Sequence, residues 1–170
     1  MENKVYTNLR KWISLLISIA LYYIIHEGAH VLIASVFGVF ESVRILGLGV
    51  QVIANVEVLT DVQIGLFCII GSVSTLLVGY ILVALASKIV ANTNRLSKAV
   101  GFYTTICLLL LDPIYLSILY RFVGGGDMNG IVLFGISEML IQLVAGIFCI
   151  LNVFVVVYYI YPLYKKGFNK

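Results

Sequence analysis

The stretch WISLLISIALYYIIHEGAHVLIASVF, from Trp12 to Phe37, decides the fold. At about 25 residues, nearly all apolar, it is long enough to cross the roughly 30 Å hydrocarbon core of a bilayer as an α-helix. Its apolar character breaks mainly at His26, Glu27 and His30, three ionisable side chains within five residues. A charged side chain at the centre of a spanning helix costs about 2.5 to 3.5 kcal/mol on insertion scales, so such groups are expected to have a function there. The spacing supplies one. At i and i+4 the imidazoles of His26 and His30 share a helix face one turn apart, the arrangement for two ligands of a tetrahedral zinc. Glu27, next in the chain, is placed as a general base for water at that metal.

The rest of the chain agrees with a membrane environment. Of 170 residues, 62% are hydrophobic and 11% charged, and the mean hydropathy is +1.10. Apolar runs of about 20 residues or more recur, so the expected class is an all-α membrane protein of about four transmembrane helices. The spans are expected at Trp12–Phe37, Val62–Ser87, Val100–Tyr120 and Ile131–Tyr161. The last is too long for one perpendicular crossing; a tilt, or a first turn or two lying along or re-entering the interface, would take up the excess. No repeat, low-complexity tail or long linker divides the chain, and residues 1–170 are expected to form one membrane-embedded domain.

Basic residues orient the bundle. Lys4, Arg10 and Lys11 precede the first span, Lys88, Arg95 and Lys98 join the second to the third, and Lys165, Lys166 and Lys170 follow the fourth. Only Arg44 and Arg121 fall in the other connections. This asymmetry predicts a multi-pass protein, in the cell membrane, with both termini cytoplasmic. The net charge of +3 therefore reports topology, and scattered cations at span ends argue against nucleic-acid binding. The basic start followed by an apolar stretch imitates a secretory signal, but its length and the lack of a small-residue cleavage site predict a retained helix. Cys68, Cys107 and Cys149 fall one per span without CxxC spacing, as apolar packing residues do.

Between the first two spans, Val50, Val52, Ala54, Val56 and Val58 alternate with Gln51, Ile53, Asn55 and Glu57. Period two predicts a strand, and with Val43-Arg44-Ile45 before the Gly47-Leu48-Gly49 break it predicts a short β-hairpin. A free edge on that hairpin could take an extended peptide by strand addition.

A catalytic zinc usually has a third protein ligand. Glu2 lies in the N-terminal tail, and Glu41, Glu57 and Asp61 in the hairpin connection, which leaves Asp112, Asp127 and Glu138. Asp127 follows Gly124-Gly125-Gly126 and returns at the level where the first helix carries its histidines. Asp112, before Pro113 in mid-span, is the alternative, since a loosened helix could also turn its carboxylate inward.

Together these features resemble the site-2 protease family of intramembrane zinc metalloproteases. The resemblance is carried by the HExxH in a spanning helix, here His26, Glu27 and His30, and by the strand-like insert after it. A third element is an aspartate in a glycine-containing motif two spans later, similar here to Asp127 with Gly130. Gly71-Ser72-Val73-Ser74-Thr75 echoes the Gly-Pro-x-x-Asn of many relatives, with Ser72 and Thr75 in place of Pro and Asn. Gly71, Ser72 and Ser74 would still give a small, polar face for close helix approach.

The resemblance implies one zinc ion held by His26, His30 and Asp127, Glu27 as the base, and hydrolysis of a peptide bond in or near a transmembrane segment of another membrane protein. The competing expectation is a catalytically inactive relative that binds clients, or a small transporter using His and Glu as a proton relay. A di-iron bundle would need more carboxylates and a second histidine motif than the two histidines allow. Substrate identity, pathway and oligomeric state are not legible in the sequence.

Overall fold

A computed structural model of the chain describes residues 4–46, 49–123 and 126–168. The expected Gly47-Leu48 turn, Gly124-Gly125, Glu2 and Lys170 lie outside the described residues. Four helices are long and apolar enough to cross a membrane. In chain order the elements are helix α1 (Lys4–Val36), strands β1 (Phe40–Leu46) and β2 (Gly49–Ala54), and helix α2 (Asp61–Ala91). Helix α3 (Arg95–Val123), the short helix α4 (Gly126–Ile131) and helix α5 (Glu138–Phe168) follow. The protein is thus an all-α membrane protein with a small antiparallel hairpin after its first helix.

Local chemistry sets the element ends. Gly38, at φ 71, closes α1 in a Schellman arrangement, its N–H donating to Ser35 and that of Val39 to Ala34, and glycine takes this left-handed backbone without Cβ strain. Thr60 and Gln63 form a capping box on α2, and Asn94 accepts from Leu96 and Ser97 N–H at the start of α3. Each satisfies amide donors that the first helical turn leaves unpaired.

The helices run past the expected spans, α1 from Lys4 rather than Trp12, α2 to Ala91, α3 over Arg95–Val123 and α5 to Phe168, and two further differences change how the chain is divided. The fourth span begins at Glu138 rather than Ile131, because Gly126–Ile131 and a 3₁₀ turn at Val132–Phe134 form a separate unit. That unit stops at the left-handed Gly135, and Ser137 caps the new helix by accepting from Leu140 N–H. The strand expected to run to Val58 ends at Ala54; Val56–Val58 is a 3₁₀ turn. Here Asn55 N–H donates to Val39 carbonyl at 2.9 Å and closes the base of the hairpin, so the alternation past this point has no strand to pair with. The hairpin otherwise matches expectation, pairing Val43 with Val52 and Arg44 with Gln51.

Helices α1, α2 and α3 pack mutually, α5 lies against α3, and α4 sits on α2. Large apolar side chains face outward, among them Leu16 (65% exposed), Leu32 (70%) and Leu143 (59%), as lipid-facing positions do. Between the helices, contacts include polar ones: Thr104 Oγ1 donates to Ser18 Oγ at 2.9 Å, joining α3 to α1, and hydrogen bonds of this kind substitute for a hydrophobic drive that lipid weakens.

Pro113 shows how one sequence feature shapes packing. Proline lacks the N–H that would bond the carbonyl four residues earlier, which is that of Leu109. Asn152 of α5 donates its Nδ2–H to Leu109 carbonyl at 2.6 Å, and Tyr80 of α2 donates to Asn152 Oδ1 at 2.6 Å. The orphaned carbonyl thereby ties three spans together. Beyond Pro113, α3 widens into a π-helical turn at Tyr115–Leu119.

The basic residues also gather in space. Arg10, Lys11, Arg95 and Lys165 line one cavity, and buried Lys98 donates to the carbonyl of Gly167 at 2.6 Å. The start of α1, the start of α3 and the end of α5 therefore share one end of the bundle.

Candidate metal centre

One turn of α1 presents both imidazoles to α2. His26 and His30 are buried, and their Nε2 atoms stand 3.2 Å apart. His30 Nδ1 lies 2.7 Å from the carbonyl oxygen of Phe67 on α2. A carbonyl can only accept, so Nδ1 carries the proton and Nε2 is left with its lone pair outward, the form that binds a metal.

Asp127 of α4 completes the group. Its Oδ2 is 3.4 Å from His26 Nε2 and its Oδ1 3.8 Å from His30 Nε2. His26, His30 and Asp127 could hold a metal ion, each offering one ligand atom within 4.8 Å of the others. The edge of a tetrahedron of N and O ligands about zinc is about 3.3 Å, close to the observed separations. The donor set, neutral nitrogen with carboxylate oxygen, suits a divalent metal ion.

Two glycines make this convergence possible. A Cβ on Gly71 would stand 2.6 Å from both histidine Nε2 atoms, filling the cradle where the donors meet. A Cβ on Gly130 would lie 2.1 Å from Cys68 Sγ, so glycine there lets α4 sit against α2 and bring Asp127 inward. The expected packing role of the cysteines holds for Cys68 and Cys107, which are buried free thiols.

Glu27 is half-buried, and its Oε2 accepts from the backbone N–H of Val52 on β2 at 3.1 Å. It shares with the two histidines, Asp127, Phe67 and Tyr115 the wall of a cavity of about 450 Å³, which β2 flanks along Gly49–Val52. Among the described residues no Lys or Arg lines it, so the cavity is electrostatically suited to a cation.

The other sequence candidates stand apart. Asp112, the alternative third ligand, lies on the far side of the His26 ring, 3.2 Å from Nδ1, because α3 enters the bundle behind α1 rather than over the Nε2 atoms. Glu138, at the start of α5, bonds Tyr120 Oη and lies 3.6 Å from Arg121 Nη2. Sequence reasoning missed Tyr22, whose Oη donates to Asp112 Oδ1 at 2.6 Å; the signal was present, since Tyr22, His26 and His30 are spaced by four on one helix face. The Phe67 carbonyl and Val52 N–H are backbone groups that no motif marks.

Comparison of the chain with protein-family models, with curated proteins and with solved structures gives no match.

Proposed function

We propose that the chain is a zinc-dependent endopeptidase that hydrolyses a peptide bond in or near a transmembrane segment of another membrane protein, as its resemblance to site-2 proteases implies. The observation that carries this reading is the convergence of His26, His30 and Asp127 donors beside Glu27, in a cavity among apolar spanning helices.

His26 Nε2, His30 Nε2 and an Asp127 oxygen would hold the ion. When bound, zinc supplies a Lewis acid for the scissile carbonyl and lowers the pKa of water at the site toward about 7. Glu27 takes the proton from the attacking water at a carboxylate oxygen and returns it to the leaving amine as the C–N bond breaks. The wall along Gly49–Val52 supports a substrate held extended, because the Val52 N–H now engaged by Glu27 belongs to the β2 edge not paired with β1. A peptide could pair there by strand addition. The basic end of the bundle supports a cytoplasmic orientation for both termini.

The test is metal analysis of purified protein beside His26→Ala, and cleavage of reconstituted transmembrane substrates by wild type and Glu27→Gln. Stoichiometric zinc in wild type, its loss in His26→Ala, and zinc kept with cleavage lost in Glu27→Gln are expected. Wild type free of zinc after chelator-free purification would overturn the reading, and function surviving Glu27→Gln would favour client binding or transport.

A further inference from the structure

We infer that Asp112 is a positioning residue for the metal centre: it holds the His26 ring with Nδ1 protonated and adds negative charge behind the ring that favours a bound cation. The inference rests on the zinc reading above and assigns a task to a carboxylate that reading leaves unused.

Asp112 is 1% exposed in the middle of a spanning helix. An isolated carboxylate there would be severely penalised. It is instead held by three side chains from two neighbouring helices. Tyr22 of α1 donates its hydroxyl to Oδ1 at 2.6 Å, Thr75 of α2 donates Oγ1–H to Oδ2, and His26 Nδ1 lies 3.2 Å from Oδ1 and 3.4 Å from Oδ2. A kink at Pro113 would account for none of these contacts, since proline alone removes the helical bond. Thr75, which replaces the Asn of the resembled family, thus has a structural partner.

Its geometry excludes service as a ligand. To reach the Nε2 atoms Asp112 would abandon all three partners, while Asp127 already stands at that edge. From behind the ring a carboxylate fixes the tautomer, aims Nε2 at the ion and makes the imidazole a stronger donor. His30 receives the same orientation from the neutral Phe67 carbonyl, so the two histidines are inequivalent and His26 carries the charge-assisted bond.

Charge gives the second half of the argument. Zinc at 2+ with neutral imidazoles and one carboxylate ligand leaves a net positive charge in a low-dielectric bundle. Glu27 on the cavity wall and Asp112 at one ring's distance both offset it without occupying a coordination position, and of the two Asp112 is the more deeply buried.

The test is competition titration of zinc against a chromophoric chelator on the full-length protein in detergent, for wild type, Asp112→Asn, Asp112→Ala, Tyr22→Phe and Asp127→Asn. Losing such an outer partner typically weakens metal binding about 10- to 100-fold. Asp112→Asn, which can still accept from His26 Nδ1–H but carries no charge, is expected near the lower figure and Asp112→Ala near the upper. Each should keep one zinc per chain, and cobalt-substituted Asp112→Asn should keep four-coordinate d–d bands that Asp127→Asn loses. Thermal unfolding of the metal-free forms separates loss of fold from loss of affinity, and the near-isosteric Asn keeps the test open if Ala does not fold. Wild-type affinity in Asp112→Asn and Asp112→Ala overturns the inference alone. Loss of the four-coordinate spectrum in Asp112→Asn but not Asp127→Asn overturns it by making Asp112 the ligand. Wild type that binds no zinc overturns the metalloprotease reading together with it.

Discussion

The backbone N–H of Val52 donates to Glu27 Oε2 across 3.1 Å, joining the middle of β2 to the proposed base on α1. The hairpin is therefore part of the wall of the metal cavity. A strand whose outer N–H meets a carboxylate beside the metal donors is positioned, on the proposed reading, to hold the base and an extended substrate.

Val52→Pro removes that N–H at a position facing away from β1, where an edge strand tolerates proline. A hydrogen bond to a charged group contributes about 1.5 to 3 kcal/mol, so turnover of a reconstituted substrate should fall roughly 10- to 100-fold. Zinc content should be unchanged. Wild-type turnover in this variant would remove the hairpin from the mechanism.

Gly71→Ala puts a methyl group 2.6 Å from both Nε2 atoms. Overpacking of this kind costs about 1 to 3 kcal/mol. The expected result is weaker zinc binding, read by chelator competition, with a smaller change in the thermal midpoint of the metal-free protein. Unaltered zinc affinity would mean that α2 does not bound the centre.

Gly130→Ala would meet Cys68 Sγ at 2.1 Å and Cys68 Cβ at 2.7 Å. Backing α4 away from α2 moves Asp127 off the histidines, so zinc affinity should drop. Adding Cys68→Gly removes both clashing atoms and should restore part of it. A double variant no better than Gly130→Ala would show that the glycine acts otherwise than through this contact.

Asn152→Leu leaves the Leu109 carbonyl without its donor. A buried unsatisfied acceptor costs about 1 to 3 kcal/mol, measurable as a lower thermal midpoint. Pairing it with Pro113→Ala returns a helical N–H to Leu109, and the double variant should lose less than the sum of the two singles. Strict additivity in that cycle would show the two positions to be uncoupled.

Much of this architecture is legible locally. The apolar run around Trp12–Phe37 sets a spanning helix, and the four-residue spacing of Tyr22, His26 and His30 puts three polar side chains on one face. The alternation at Val50–Ala54 marks a strand, yet the same alternation at Val56 and Val58 misleads, because whether a strand continues depends on a partner, and Asn55 has turned back to Val39. The start of α5 is masked in the sequence for a related reason: hydropathy continues through Ile131–Phe134, while the left-handed Gly135 ends the helical turn there.

By itself the sequence determined a four-span membrane bundle, a hairpin after the first helix, and two histidines on one helix face with a glutamate next to them in the chain. Those follow from apolar length and from periods of 3.6 and 2, which are properties of one segment at a time. The tertiary structure alone decided which of Asp127 and Asp112 stands at the Nε2 atoms, since both are carboxylates two spans from the histidines. Their positions separate only through the approach of α4, permitted by Gly130, and the entry of α3 behind the His26 ring. The rotation and depth of one helix against another are set by such contacts, and no periodicity within a single helix records them.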